Sequence, residues 1–340
     1  MSLLVVCDHD RGTITEASLE ALTFGRPLAA AAGIEMAAVV IGKGAERAAA
    51  DLGAHGASTV HLASHGLLTD FGPEAWGETV AQLVRATGAT AVLACGTDRG
   101  NEVVAHVAAR LDEPFVANCR SIRPGAGDWA ITRVQWGGSL LEDVTLSAGV
   151  SLVTVAHHAV EATPAEVGAA GVVVPFSPDL DDALAHTIVV DRVVLTKGIT
   201  LSTAPVVVGG GRGVGSAEAF GPLEELAALL GGVVGCSRAV TNNGWRPHSD
   251  QVGQTGTRIA PEIYIANGIS GAIQHWVGAM AAKNILAINT DREANMVARA
   301  GHAVIGDLHQ VIPAITEAAP RLPASRFSLM KCDLINSSAP

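Results

Sequence analysis

The chain has 340 residues, of which 49% are hydrophobic and 4% aromatic, and its formal net charge is −11. This length predicts about two domains, and the acidic balance argues against nucleic-acid binding, which needs a basic face. No apolar run approaches the roughly 20 residues of a membrane-spanning helix. The N-terminal residues show no signal or transit peptide, so we expect a cytoplasmic protein without membrane insertion.

The cysteine and histidine patterns predict neither disulfides nor a metal site. The cysteines are odd in number and form no CxxC pair: Cys7, Cys95, Cys119, Cys236 and Cys332. We predict that the first four are reduced, partly buried and structural. His157 and His158 are adjacent but have no third ligand near them in the sequence, so we expect no metal there.

Short β-rich runs alternate with amphipathic helical patterns in the first half of the chain. Strands are predicted at 3–8, 36–42, 58–63, 90–95, 131–136 and 151–156. Helices are predicted at 16–32, 44–53, 73–87 and 101–111. This alternation indicates a parallel sheet with helices on both faces. The segment 131–155 is rich in strands and lacks a long helix, so part of the sheet there is expected to be antiparallel.

A change of composition between about 176 and 204 predicts the connection between two domains. Prolines bracket an acidic run at 179–182, and a polar strand is predicted at 189–196. A second alternating unit follows, with strands at 205–209, 232–236, 263–266, 284–289 and 302–305. Its helices are predicted at 218–230, 271–281, 292–299 and 308–318.

These patterns predict an α/β protein with two parallel-sheet α/β domains, the C-terminal one smaller and doubly wound. The N-terminal domain is expected at 1–190 and the C-terminal domain at 204–320. Residues 321–340 lack clear periodicity and are expected to form a loose extension.

A buried strand meets a glycine-rich turn at 209–215, ahead of a helix. The spacing does not match the NAD fingerprint, because the sixth position from Gly209 is Val214. The next strand is followed by Ser237 and Arg238, without the acidic residue that would bind a ribose 2′-hydroxyl. Close packing of a tight turn is one interpretation, but Arg212 inside the turn favours contact with an anion.

Arg238 follows a predicted strand at the edge of the sheet where open parallel sheets bind ligands. Its guanidinium keeps a fixed positive charge at working pH, so beside a flavin ring it would stabilise added electrons. A surface ion pair is the competing interpretation.

Two further glycine loops, Gln251–Gly256 and Gly268–Gly271, flank a buried strand, and a helix follows the second. Backbone amides at a helix start favour anions, so this arrangement suits a pyrophosphate. In the first loop, the Thr255 hydroxyl is placed to bond a ring nitrogen. His275, just after the second loop, is placed to donate to a carbonyl, although a lone histidine on such a helix is more often structural.

Asn289 and Asp307 each end a predicted strand at this same edge. Both are suitable partners for ribose hydroxyls or adenine. Each is also a good helix N-cap, and Thr290 and Asp291 compete for that role at the first position. The convergence of several such residues on one edge favours the functional interpretation.

Taken together, these segments resemble the alpha subunit of the electron transfer flavoproteins over most of the chain. The resemblance is strongest between 205 and 317. It is carried by GGRG at 210–213, SR at 237–238, QVGQTG at 251–256, PEIYIANGISGAIQH at 261–275, AINTD at 287–291 and GDL at 306–308. A weaker resemblance covers 100–118 in the first domain.

The resemblance implies an FAD site in the C-terminal domain. The residues placed around the pyrophosphate and ribityl region are Arg212, Ser270, Gly271, Ala272, Ile273 and Gln274. Those placed along the isoalloxazine ring are Ser237, Arg238, Val252, Gly253, Gln254, Thr255 and His275, with Thr255 near N5 and His275 at O2. Those placed at the adenosine end are Asn289, Asp307 and Leu308.

The resemblance also implies a heterodimer with an electron transfer flavoprotein beta subunit. Flavin dehydrogenases would donate electrons to the FAD, and a quinone-linked oxidoreductase would accept them, as in fatty acid β-oxidation. Such a carrier turns over no substrate of its own. The alternatives are an electron-bifurcating variant with a second FAD in the beta subunit, an NAD-dependent oxidoreductase, and a nucleotide-binding or assembly module without redox chemistry.

Overall fold

The computed structural model describes residues 1–138, 140–166, 171–189 and 199–319. The chain divides into two compact units, Met1–Val194 and Leu195–Pro340, and each contains an open sheet flanked by helices. Most of the predicted strand at 189–196, and all of 321–340, lie outside the described residues. Among the described helices, none is long and apolar enough to cross a membrane.

The first unit contains a large sheet, a short hairpin and α-helices on both faces. Its strands are β1 Ser2–Cys7, β2 His9–Asp10, β3 Thr13–Ile14, β4 Glu35–Ile41, β5 Thr59–Ala63, β6 Ala91–Cys95, β7 Phe115–Pro124, β8 Asp128–Gln135, β9 Leu140–Ser147, β10 Ser151–Val155 and β11 Val172–Phe176. Its helices are α1 Glu16–Ala32, α2 Ala45–Leu52, α3 Pro73–Thr87 and α4 Asp98–Leu111.

The nine-stranded sheet has the order β11-β5-β4-β1-β6-β10-β7-β8-β9. Neighbouring strands are parallel from β11 to β7. The pairs β7–β8 and β8–β9 are antiparallel, which confirms the expected antiparallel part. The predicted strand at 151–156, by contrast, is a parallel member of the sheet.

Alternation along β1 shows why this sheet is covered on both faces. Leu3 and Val5 belong to one buried cluster with α1 and α2, while Leu4 and Val6 belong to a second cluster with α3 and α4. Because successive side chains of a strand point to opposite faces, a continuous apolar run places half of its side chains in each layer. Such runs are typical of parallel sheets buried on both sides.

Capping residues set the ends of the first-unit helices. The Thr15 side chain accepts a hydrogen bond from Ser18 N at the start of α1, and Gly33 ends that helix in a left-handed conformation. Pro73 opens α3, which ends before Gly88. The predicted helices at 16–32 and 73–87 therefore have the observed bounds.

The second unit is a five-stranded parallel sheet with helices on both faces. Its strands are β12 Val206–Gly210, β13 Val233–Cys236, β14 Ile263–Asn267, β15 Asn284–Asn289 and β16 His302–Ile305. Its helices are α5 Gly221–Leu229, α6 Arg238–Asn242, α7 Ile273–Ala279, α8 Asn295–Arg299 and α9 Leu308–Ala318. The sheet order is β13-β12-β14-β15-β16, and all neighbouring pairs are parallel.

Three helices of this unit are shorter than predicted. The segment predicted at 218–230 begins as a 3-10 turn, and α5 starts only at Gly221, next to Pro222, which favours a first helical turn. The helix predicted at 271–281 starts at Ile273, because Gly271 has a φ of 75° that no helix contains. The helix predicted at 292–299 is reduced to α8.

The described cysteines behave as predicted. Cys7, Cys95, Cys119 and Cys236 are free thiols and are buried. Burial raises the pKa of Cys119 and of Cys236 to about 12, so both thiols stay protonated at neutral pH. Cys332 lies outside the described residues.

Substitution of Gly209 by Ala tests the packing of the second sheet. A Cβ at Gly209 would collide with the ring and hydroxyl of Tyr264, which is fully buried on the neighbouring strand. We expect G209A to lower the free energy of unfolding by about 1–3 kcal/mol, measured by urea denaturation. The control is G221A, since a Cβ there meets nothing within 4 Å and Ala favours a helix more than Gly. Equal stability of the two variants would contradict the packing argument.

Candidate functional site

The second sheet has a topological switch point between β12 and β14. In chain order its strands run 2-1-3-4-5, so the connections leave β12 and β14 toward opposite sides. Ligands of open parallel sheets bind outside the carboxyl ends of the strands at such a point. The predicted glycine loops, 209–215 and 268–271, follow these two strands and therefore meet there.

Direct backbone contact joins the two glycine loops. Gly211 N donates to Asn267 O at 2.8 Å, and Gly213 N donates to Gly268 O at 3.1 Å. A Cβ at Gly211 would collide with the Gly268 backbone, and Gly268 itself has a φ of 59°. Both positions therefore require glycine.

Two exposed arginines at this edge have no partner among the residues that the structure describes. Arg212 follows β12 and Arg238 follows β13, and neither side chain makes a hydrogen bond or ion pair with any described residue. The surface ion pair considered for Arg238 is therefore not formed within the described chain. Ser237 precedes α6 as its N-cap residue, but its side chain makes no capping bond. Two positive charges and one hydroxyl are thus available to a ligand.

The QVGQTG loop is hydrogen-bonded both to the end of β13 and to the start of α7. Val252 N donates to Cys236 O at 2.9 Å, and Gln254 N donates to Gln274 O at 2.7 Å. Val252 and Gly253 are buried, whereas Gln254 and Thr255 are exposed. The loop thus lies between the strand that precedes Arg238 and the helix that carries His275.

Thr255 is held by its own loop. Its hydroxyl oxygen accepts a hydrogen bond from Gln251 Nε2 at 2.9 Å, and Gln251 in turn accepts from the Thr241 hydroxyl at 2.8 Å. Because Thr255 accepts there, its hydroxyl proton remains available for donation. Gln251 is buried and was not among the predicted site residues, although its position in the loop is a signal that points to it.

The segment 270–274 presents an open helix start. Ser270, Ala272, Ile273 and Gln274 are exposed, and Gly271 is buried against the backbone of Met296. Ala272 is the N-cap residue of α7 and has no side-chain acceptor, so the first-turn amides have no side-chain cap. Contact of these residues with a pyrophosphate stays a prediction.

His275 is 7% exposed and lies against β14. Its Nε2 is hydrogen-bonded to the Tyr264 hydroxyl at 2.8 Å, while Nδ1 is buried and makes no hydrogen bond of normal geometry to a described residue. Burial lowers the pKa of His275 to about 4, and the nearby Val252 backbone offsets this only in part. At neutral pH the imidazole is therefore an uncharged donor or acceptor rather than a cation.

Two further polar side chains at this edge escaped prediction. Tyr264 orients His275, and burial raises the pKa of its hydroxyl, which stays protonated. The Asn267 amide donates to Gly209 O at 3.0 Å, and its Oδ1 is buried without a partner among the described residues. A polar residue at the end of a buried strand is a sequence signal for Asn267, whereas nothing local indicates Tyr264.

The residues predicted at the adenosine end have structural contacts. Asp307 caps α9 by accepting from His309 N at 3.0 Å, as the capping interpretation expects. Asn289 is not a cap; its amide donates to Ile269 O at 3.1 Å and its oxygen accepts from Asp291 N at 3.1 Å. Leu308 is buried in the core. Their contact with adenosine stays a prediction.

In the first unit, a third possible ligand lies beside His157 and His158 in space, although none lies near them in the sequence. The fold brings Glu20 of α1 to them, and one ligand atom from each of the three residues lies within 4.8 Å of the others. The sequence does not reveal this proximity because the residues are far apart along the chain.

The burial of His275 predicts a pH dependence of stability. An unfolded histidine has a pKa of about 6.5. Between pH 6.5 and 4 the unfolded chain therefore binds more protons than the folded chain, and the free energy of unfolding decreases as the pH is lowered. In the unaltered chain, this histidine should lower the free energy of unfolding by about 3 kcal/mol between pH 7 and pH 4. We expect H275Q to lack this decrease, measured on flavin-free protein. Y264F, which keeps the imidazole buried, should retain this decrease. An identical pH profile in H275Q and the unaltered chain would contradict the assignment.

Comparison with known proteins covers both units. Residues 3–181 match the electron transfer flavoprotein domain family, and residues 200–280 match the electron transfer flavoprotein FAD-binding domain family. Protein FixB of Bradyrhizobium diazoefficiens is 38% identical, over 95% of this chain and 90% of its own length.

Two relatives bear the name electron transfer flavoprotein subunit alpha. The one from Mycobacterium leprae is 35% identical, over 92% of this chain and 96% of its own length. The one from Thermoanaerobacterium thermosaccharolyticum is 30% identical, over 94% of this chain and 97% of its own length. The chain therefore belongs to the electron transfer flavoprotein alpha subunit family, and its second unit contains the family's FAD-binding domain.

Proposed function

We propose that this chain pairs with an electron transfer flavoprotein beta subunit and relays electrons through FAD held on its second unit. The donors are flavin dehydrogenases and the acceptor is a quinone-linked oxidoreductase. Membership of an electron-carrier family supports the relay. The bound FAD would supply the redox chemistry, and the chain's residues bind, orient and tune it.

The chemistry of the donor set fits FAD. The two glycine loops present peptide groups rather than side chains at the switch point. Arg212 adds a positive charge there that is unpaired within the described part of the chain, and both features suit a pyrophosphate. His275 Nδ1 and Asn267 Oδ1 are buried polar atoms without partners among the described residues. Buried polar atoms are nearly always hydrogen-bonded, so a cofactor that satisfies them is favoured.

The observation that carries the proposal is the two-sided attachment of the QVGQTG loop. Its backbone bonds to Cys236 on one side and to Gln274 on the other. The loop thereby holds Thr255 between the end of β13, which Arg238 follows, and helix α7, which contains His275. In our proposal the flavin ring lies along this loop, with Arg238 as a fixed cation and His275 as a neutral hydrogen-bond donor beside it.

Removal of the Arg212 side chain tests the pyrophosphate contact. We expect R212A to raise the Kd for FAD by about 10- to 100-fold, since a charge-assisted hydrogen bond contributes about 1.5–3 kcal/mol. The measurement is fluorescence titration of the apo-complex with FAD. The control is K283A, which removes an equal charge before the amino end of β15, at the opposite edge of the sheet. An equal loss of affinity in both variants would contradict a specific contact.

Replacement of Arg238 tests the tuning role. Loss of the fixed cation should lower the midpoint potential of the bound flavin, by on the order of 60 mV for a tenfold change in a one-electron equilibrium. We expect R238K to recover part of the loss because it keeps the charge without the planar fork. Spectroelectrochemical titration measures both. An R238A potential equal to that of the unaltered complex would exclude the role.

Flavin content separates this proposal from the alternatives. The purified complex should be yellow, with one FAD per alpha and beta pair. Two FAD per pair would favour the bifurcating variant. A colourless complex that binds NAD would contradict the proposal.

A further inference from the structure

A second group of polar residues lies in the first unit, at the carboxyl edge of its sheet. His157 and His158 follow the end of β10, which pairs with β6. Glu20 comes from α1, the helix that covers this face. Neither the FAD site nor the proposed electron relay uses these residues.

Glu20 is a buried carboxylate whose contacts come mainly from His158. It is 3% exposed. Its Oε2 accepts from the His158 backbone N at 2.8 Å, and its Oε1 lies 3.1 Å from His158 Nδ1. The Cys95 thiol is a weaker neighbour, at 3.9 Å from Oε2. A buried carboxylate is costly unless it is hydrogen-bonded, so the contacts with His158 are what stabilise Glu20 in this position.

The second imidazole approaches the same carboxylate oxygen. His157 Nε2 lies 4.0 Å from Glu20 Oε1. The rings of His157 and His158 are stacked, with centroids 3.7 Å apart and planes 23° from parallel. His158 has a φ of 62°, an uncommon backbone conformation for a residue other than glycine. That conformation occurs in the turn that presents both rings to Glu20.

A purely structural clamp explains only part of this arrangement. The two hydrogen bonds from His158 to Glu20 are enough to join α1 to the loop after β10. His157 adds a further nitrogen donor beside the same oxygen, which is the composition of a two-histidine, one-carboxylate metal site. His158 Nε2 is buried and has no partner among the described residues. Within the described residues, the imidazole of His158 therefore makes a single hydrogen bond, from Nδ1 to Glu20.

We propose that Glu20, His157 and His158 bind a divalent transition metal ion of the zinc type, with a fourth position left to water. Ligands about 2.0–2.2 Å from a tetrahedral ion lie about 3.4 Å apart. The distances of 3.1 and 4.0 Å from Glu20 Oε1 to the two nitrogens bracket that value. On binding, the ion takes the place of the proton on His158 Nδ1, and the neutral imidazole then carries its proton on Nε2.

The test uses the full chain in its flavin-containing complex, freed of affinity tag and treated with a chelator. Equilibrium dialysis against ZnCl2 measures zinc per complex, and Co2+ serves as a spectroscopic probe of tetrahedral coordination. We expect H157Q to bind zinc at least tenfold more weakly, although it leaves both bonds between Glu20 and His158 in place. E20Q, which removes the charge, should lose the site, and H302Q, altered on an exposed strand of the second unit, should bind as the unaltered chain does.

Thermal unfolding gives a second measure that does not depend on the flavin. At a hundredfold excess over Kd, zinc should raise the Tm of the first unit by roughly 5–10 °C, and H157Q should lose this rise. Absence of zinc binding at 100 μM, or equal binding by H157Q and the unaltered complex, would overturn the proposal and leave the cluster as a clamp. Neither result bears on FAD binding by the second unit.

Discussion

The contact between the two glycine loops is the constraint on which the carboxyl edge of the second sheet depends. Gly211 and Gly268 approach so closely that a Cβ on the first would overlap the backbone of the second. This approach places the ends of β12 and β14 side by side, with peptide groups rather than side chains at the switch point. A pyrophosphate is bound best by such peptide groups. The arginine between Gly211 and Gly213 can then stay exposed without crowding the loops.

Burial divides the polar groups of this edge into two kinds. Arg212 and Arg238 are exposed and unpaired within the described chain, so they keep both their charge and their freedom to bind. His275, Tyr264 and Asn267 are buried. Each makes a hydrogen bond within the protein, and two of the three retain an atom without a partner among the described residues. A ligand that reaches this edge therefore meets exposed positive charges at its surface and buried hydrogen-bonding groups below it.

The sequence predicts those parts of the fold whose signals are local. The bounds of α1 and α3 follow from the Thr15 cap, the opening Pro73 and the closing glycines, all within a turn of the helix. Five strands of the first unit escaped prediction: the two short hairpin strands β2 and β3, and the sheet strands β7, β9 and β11. Strand β11 contains Pro175, and a proline in the sequence argues against a strand. Because β11 lies at the edge of the sheet, the missing backbone N–H of the proline is tolerated there.

The site shows the same division. Arg212 opens a 3-10 turn just after β12, and Arg238 opens α6 just after β13. Thr255 lies in a glycine loop ahead of β14, so local patterns point to all three residues. Tyr264 belongs to a buried strand and acts on His275 through space, and Glu20 reaches His158 from a distant helix. Contacts of this second kind depend on strand order and helix placement, which local patterns do not contain.

The neutrality of His275 has a consequence for the proposed tuning of FAD. A histidine with an ordinary pKa would change its charge across neutral pH and alter the field at the ring. Burial against Tyr264 moves that change to about pH 4 in the chain itself. In the proposed flavin site, the positive charge near the ring would then come from the Arg238 guanidinium. In that proposed arrangement, a cation beside a neutral donor would keep the potential of the bound flavin independent of the protonation of His275.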